Sequence, residues 1–197
     1  DYMNQYFDNN ENLKSKIEIK KVKINHHDFT FATDNGVFSK KGLDFGTRSL
    51  LEMIDVNKIT GNVLDFGCGY GPIGIYIASM TNAKVHMIDI NRRSLELARK
   101  NVNLNHVNVQ IYESNLYENV KETFDTIISN PPIRVGKEIL YKILFEAKNH
   151  LKKGGNLIIV VNKNQGAKSL IKDLEKQYQV HLLGKNKGFY IIEATYV

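Results

Sequence analysis

From residue 61 onward, short apolar runs alternate with stretches in which apolar residues recur every three or four positions. The runs 62-NVLDF-66, 84-KVHMID-89, 108-NVQIY-112, 124-FDTIIS-129 and 156-NLIIVV-161 predict strands. Residues 72–80, 91–104, 137–150 and 166–176 predict helices between them. Such alternation builds βαβ units, hence a parallel sheet with helices on both faces. Two β-rich runs then follow without a helix, 178-YQVHLL-183 and 189-FYIIEATYV-197, separated by 184-GKNKG-188. So short a gap admits only an antiparallel hairpin, because a parallel return needs a crossover. The sheet is therefore expected to be parallel except for its last strand.

The first sixty residues follow another pattern. Strand-like 16-KIEIKKVKI-24 and 28-DFTFAT-33 predict a hairpin, and 44–55 a helix leading into the sheet. The expected division is an N-terminal extension, 1–60, packed on a catalytic domain, 61–197. At 197 residues, with 42% hydrophobic residues, the chain can bury one substantial core. No apolar run approaches the ~18 residues of a membrane span. The opening 1-DYMNQYFDNNENLK-14 is polar and acidic, unlike a signal peptide. A single cysteine, Cys68, excludes an internal disulfide and a cysteine-cluster zinc site. A reducing, cytoplasmic setting is expected. The six histidines show no metal-ligand spacing, and no metal is expected.

Net charge is +6, and its distribution is uneven. Residues 1–60 carry nine basic and nine acidic side chains, residues 61–130 six and seven, and residues 131–197 twelve and five. The excess thus follows Asn130-Pro131-Pro132. If the strands run parallel, Arg134, Lys137, Lys163, Lys185 and Lys187 all emerge at the carboxyl edge of the sheet. Five cations there suit a phosphate backbone, although a basic third can also be only a solvated surface.

The segment 63-VLDFGCGYGPIG-74 passes from a strand through a glycine turn into a helix. Its G-x-G-x-x-G is by itself a weak dinucleotide signal, and Asp89 fits a ribose-binding acid in that reading too. Asp65, at the strand end, would repel a pyrophosphate but favour a cationic cofactor. Pro72 removes one of the amides an anion would use.

The pattern Asp65-x-Gly67-x-Gly69-x-Gly71 resembles the first motif of class I S-adenosylmethionine-dependent methyltransferases. The resemblance implies a Rossmann-like α/β fold, seven strands with a C-terminal antiparallel hairpin, and S-adenosylmethionine as cofactor, released as S-adenosylhomocysteine. It carries cofactor contacts onto Asp65, Gly67, Cys68, Gly69 and Gly71, and onto Asn130 farther along the chain. Asp89 becomes the acceptor for the ribose diol, with Ile90 beside it. The loop 113-ESNLYEN-119 offers Ser114 and Asn115 to the adenine, or is only a polar turn.

Asn130-Pro131-Pro132-Ile133 ends the fourth predicted strand. Paired prolines stop a strand and hold the preceding residue extended. Asn130 through its side-chain oxygen and Pro131 through its carbonyl could each accept from a planar amino group, with Pro132 stiffening the turn. That arrangement localises the nitrogen lone pair for attack on a methyl group, so rate would come largely from orientation. The box resembles that of methyltransferases acting on planar nitrogens, except that Ile133 stands where an aromatic is usual.

Residues 31-FATDNGVFSKKGLDFGTRSLLE-52, with 129-SNPPIRVGK-137, resemble the ribosomal RNA small subunit methyltransferase C family in a single-domain form. This implies a guanine amino group in 16S rRNA as the acceptor and ribosomal RNA or the small subunit as the partner. No membrane partner is expected, and the chain is expected to be a monomer or weak dimer. Phe38 could supply the aromatic face that Ile133 lacks, or anchor the hairpin. Thr47 corresponds to a position near the methionine end of the cofactor, and Asp44 and Thr47 equally make helix caps. Adenine or protein-glutamine methylation, a nicotinamide enzyme and a non-catalytic RNA-binding module remain as alternatives.

Overall fold

The computed structural model describes residues 16–34, 43–132 and 135–197. Strands β1 (Ile17–Ile24) and β2 (His27–Asp34) form an antiparallel pair. Helix α1 (Phe45–Met53) then leads into β3 (Asn62–Phe66), α2 (Pro72–Met80), β4 (Lys84–Asp89), α3 (Arg92–Leu104) and β5 (Gln110–Glu113). The chain continues through β6 (Phe124–Ser129), α4 (Gly136–Glu146), β7 (Leu151–Asn162), α5 (Ala167–Leu174), β8 (Gln179–Asn186) and β9 (Phe189–Thr195).

Strands β3 to β9 make one sheet in the order β5-β4-β3-β6-β7-β9-β8. The pairs from β5 to β7 are parallel, and β9 is antiparallel to both β7 and β8. This is the Rossmann-like, mostly parallel seven-stranded sheet with the reversed terminal hairpin that the sequence predicts.

Strand alternation divides the core into two layers. Val63, Val85, Met87, Ile128, Ile158, Val160 and Ile191 face α1, α2, α3 and the β1–β2 hairpin. Their neighbours Leu64, Ile88, Ile127, Leu157, Ile159, Val161 and Ile192 face α4 and α5. Period-two alternation with both faces apolar is what a sheet covered on two sides requires. Helix α2 is buried over Pro72–Ile77, which explains its unbroken apolar sequence.

Several element boundaries depart from the sequence pattern. Helix α4 ends at Glu146, where 150 was expected, and β5 begins at Gln110, where 108 was expected. Strand β7 begins at Leu151, where 156 was expected, because its early part pairs with the distant C-terminus: Gly154 N–H donates to Tyr196 O, and Tyr196 N–H to Gly155 O. Strand β8 runs to Asn186, leaving only Lys187 and Gly188 as the turn, both at positive φ (47° and 84°). The β1–β2 turn is built likewise from Asn25 and His26, φ 46° and 70°. Paired positive φ values match the right-handed twist of a hairpin.

The hairpin is fixed by side chains that imitate a strand. Asn101 on α3 accepts from Ala32 N at 2.6 Å and donates to Ala32 O at 3.0 Å. One turn later Asn105 accepts from Thr30 N at 3.0 Å and donates to Thr30 O at 2.8 Å. Asn25 Nδ2 donates to Leu51 O and to Tyr76 Oη, closing the turn onto α1 and α2.

Candidate active site at the carboxyl ends of the parallel strands

In the loop between β3 and α2, Gly67, Gly69 and Gly71 all lie at positive φ, 71°, 57° and 105°. A Cβ added at Gly67 or Gly69 would meet no described atom within 4 Å, so both face open space. At Gly71 it would lie 2.8 Å from Met87 Cε, so that glycine serves packing. Gly69 N–H donates to Asp89 Oδ2 at 2.8 Å, and Asn91 N–H to Asp89 Oδ1 at 2.9 Å. Burial raises the Asp89 carboxyl above its ordinary value, and these amides partly oppose the rise. The Ile90 amide adds to this opposition, and the carboxylate lines the cleft.

Asp65 lies beneath the loop. It is fully buried, its Oδ2 accepts from Gly74 N at 2.9 Å, and its Oδ1 has no partner among the described residues. The carboxylate therefore caps the first turn of α2 from below, so this helix end already faces an internal acid. Burial pushes its pKa from 3.8 up to about 7. Below pH 4 both folded and unfolded chains carry the proton. Between pH 4 and 7 only the folded chain keeps it, so Asp65 makes stability fall as pH rises through that window, by on the order of 4 kcal/mol. Asp65→Asn is expected to gain stability relative to the natural chain between pH 4.5 and pH 8. Urea unfolding at both values checks this; a pH-independent difference contradicts it.

The cleft above the loop is lined by Phe66, Gly67, Gly69, Ile88, Asp89 and Ile90, together with Ser114, Leu116, Asn130 and Pro132. Val135, Ile139 and Ile143 close it from the α4 side. Of the residues expected at a cofactor, Gly67, Gly69, Asp89, Ile90, Ser114 and Asn130 thus share one cleft. Asp65, Cys68, Gly71, Thr47 and Asn115 do not line it. Cys68 is buried, with its N–H on Ile88 O, and burial first, then Asp65 and Asp89, push its thiol well up. Asn115 turns into a neighbouring depression with Glu118, Lys142 and His150. Ser114 Oγ donates to Leu116 O and accepts from Asn119 N, bracing a loop in which Leu116 holds φ 53°.

The apolar wall escaped motif reading. The i,i+4 spacing of Ile139 and Ile143 on α4 was its one available signal.

Asn130 follows β6 at the mouth of this cleft. Its Nδ2 donates to Asp44 Oδ2 at 3.0 Å and to Thr47 Oγ1 at 2.9 Å. The carboxylate can only accept, so the nitrogen must face Asp44 and the oxygen is turned away from it. Oδ1 has no partner among the described residues. Pro131 is buried and Pro132 lines the cleft wall.

The rim beyond Asn130 is basic. Lys163 N–H donates to Gly188 O at 2.8 Å, which joins the turn after β7 to the β8–β9 turn. Lys187 Nζ stands 5.4 Å from the Phe45 ring centre, Lys185 5.6 Å from Tyr190, and Lys137 5.2 Å from Tyr141. Lys137, Lys163, Lys185 and Lys187 are exposed. A second depression runs from Pro132 past Lys137 to Asn164, Gln165 and Ser169. Phe38, Ile133 and Arg134 lie outside the described residues. Among those described, no His, Cys, Asp and Glu group could hold a metal, and no helix is long and apolar enough to cross a membrane.

Comparison with known proteins agrees with this architecture. The family model of the methyltransferase small domain matches residues 28–193. Uncharacterized protein YbxB of Bacillus subtilis is 43% identical over 197 residues, covering 98% of each chain. The ribosomal RNA small subunit methyltransferase C of Haemophilus influenzae is 43% identical over 150 residues, 74% of this chain and 45% of that one. Among solved structures, the T. thermophilus 16S rRNA N2 G1207 methyltransferase in complex with AdoMet and guanosine superposes with a TM-score of 0.83 at 26% identity. The match covers 94% of this chain and 52% of that one. The chain therefore spans about half the length of these two methyltransferases and nearly all of the Bacillus protein.

Proposed function

The chain belongs to the methyltransferase small domain family, and from that premise we propose that it methylates the exocyclic amino group of a guanine in small-subunit (16S) ribosomal RNA. The observation that carries this reading is the oriented amide of Asn130. Its nitrogen is tied to Asp44 and Thr47, which leaves an acceptor oxygen at the mouth of the cleft. A planar amino group donates one hydrogen bond to Asn130 Oδ1 and one to the Pro131 carbonyl, which fixes its nitrogen and localises the lone pair.

The cleft fits S-adenosylmethionine. Open space stands before Gly67 and Gly69, and Asp89 lines the cleft with a two-oxygen acceptor suited to a vicinal diol. Ile88, Ile90, Leu116 and Ile139 give flat apolar walls for a heterocycle. When bound, S-adenosylmethionine supplies an electrophilic sulfonium methyl, which the amino nitrogen takes as the C–S bond breaks. We assign direct cofactor contact to Gly67, Gly69, Asp89, Ile90 and Ser114. Asp65, Cys68 and Gly71 shape the loop from beneath. Little base strength is needed, because the amino proton becomes acidic only once the nitrogen is alkylated and can then leave to water.

The rim lysines Lys137, Lys163, Lys185 and Lys187 supply the charge for a phosphate backbone. Reaching a guanine amine also requires the base to leave its stack, which a basic rim around a cleft accommodates.

Asp89→Ala is expected to weaken S-adenosylmethionine binding about 100-fold, the scale of two lost charge-assisted hydrogen bonds. Calorimetric titration checks this, and a change below threefold contradicts the assignment. The acceptor class is tested with labelled S-adenosylmethionine, offered with unmodified 16S RNA, naked and as 30S particles, and with ribosomal proteins. Label is expected in RNA; label on a protein glutamine would overturn the reading.

A further inference from the structure

We propose that Asp44 is a positioning residue that decides which end of the Asn130 amide faces the cleft. The inference rests on the role given to Asn130 above and deepens it. The two ends of a carboxamide have nearly the same size, so packing alone does not choose between them. The amide nitrogen of Asn130 has two acceptors, Asp44 Oδ2 at 3.0 Å and Thr47 Oγ1 at 2.9 Å. A hydroxyl donates as readily as it accepts, so Thr47 would tolerate the oxygen in place of the nitrogen. A carboxylate has no proton to give and admits only the nitrogen. Asp44 therefore selects the orientation, and Oδ1 is left for the acceptor amine. With the amide reversed, two N–H donors would face the amino group that needs an acceptor.

The same Oδ2 accepts from Thr47 N at 3.1 Å, the N-cap bond of α1. One oxygen thus joins the start of α1 to the end of β6. The carboxylate also adds negative charge one hydrogen bond behind Asn130, in the sense that favours a nitrogen becoming cationic. Asp44 is exposed, so water screens this field and orientation is the larger effect.

Capping and selection are separable by mutation. Asp44→Ser keeps a good N-cap, but its hydroxyl is shorter and can accept or donate. Asp44→Asn keeps cap and reach and loses the charge and the strict preference. For Asp44→Ser, kcat for methyl transfer is expected to fall about tenfold or more, with KM for S-adenosylmethionine within about twofold and melting nearly unchanged. Asp44→Asn should lose about threefold. Asp44→Ser combined with Asn130→Ala should be no slower than Asn130→Ala alone, because Asp44 acts through that amide. An Asp44→Ser kcat within twofold of the natural chain, or full additivity in the double variant, would overturn the proposal.

A second readout needs no turnover. With ¹⁵N-asparagine labelling, the Asn130 side-chain amide should give a slowly exchanging pair of proton signals. In Asp44→Ser these should shift and exchange faster. Signals unchanged by Asp44→Ser sink the proposal even if activity falls. If the natural chain methylates no RNA yet the amide is locked by Asp44, the substrate reading fails while the positioning role stands.

Discussion

Asn130→Ala is expected to lower kcat for methyl transfer about 100- to 1,000-fold and to leave the Kd for S-adenosylmethionine within about threefold. The size follows from what the side chain contributes. Asn130 Oδ1 is an acceptor held in place by two bonds on its nitrogen, at 3.0 Å to Asp44 and 2.9 Å to Thr47. An oriented polar group of this kind lowers a barrier because it needs no reorganisation as the reaction proceeds. Alanine lets water fill the place, and water does not hold an amine on one trajectory. Cofactor affinity should change little, since Gly67, Gly69, Asp89 and the apolar walls are untouched. Single-turnover rates with saturating cofactor, beside calorimetric titration, separate the two quantities. A large loss of affinity with an unchanged rate would move Asn130 from the reacting group to the cofactor.

Asn101→Ala is expected to lower the unfolding free energy by about 4 kcal/mol. Asn101 is fully buried and makes three bonds: from Ala32 N at 2.6 Å, to Ala32 O at 3.0 Å, and to Tyr70 O at 2.8 Å. Its loss leaves a donor and two acceptors of the main chain without that partner, each costing about 1–3 kcal/mol when water cannot reach it. For a chain of this size the melting temperature should drop by about 10 °C. Tyr70 belongs to the glycine loop, so S-adenosylmethionine binding should weaken as well. Asn105→Ala is the control: it removes a similar pair of bonds at Thr30 from a half-buried site, and should cost about 1–2 kcal/mol with no effect on the cofactor. Urea denaturation of both variants checks the contrast. A loss below 1 kcal/mol for Asn101→Ala would mean that water replaces it.

The inner strands β3, β4, β6, β7 and β9 were legible because both faces of the sheet are covered there, so they carry apolar runs. The edge strands β5 and β8 are half-exposed. The place of β9 between β7 and β8 was not legible, since it depends on pairing across the sheet, such as Ile159 with Ile192. Asp65 shows a further limit. A motif fixes that an acid stands near the end of β3, but the pleat decides its direction. Asp65 shares a face with Val63, toward α2, whereas Phe66 faces the cleft. Asp44 was readable as a helix cap and is one. Its second bond, to a residue 86 positions away, is invisible to any local pattern. Asn101 and Asn105 stand four residues apart on α3 and were not singled out by the sequence, because their partners Ala32 and Thr30 lie 69 and 75 positions away on β2.

The measurement that bears most directly on the account is the identity of the methylated nucleoside. Unmodified 30S particles and naked 16S RNA would be treated with the protein and isotopically labelled S-adenosylmethionine, digested to nucleosides and resolved by mass and fragmentation. Labelled N2-methylguanosine is expected, strongly reduced with Asn130→Ala. Labelled N6-methyladenosine, or a methylguanosine bearing its methyl on a ring nitrogen, would contradict it.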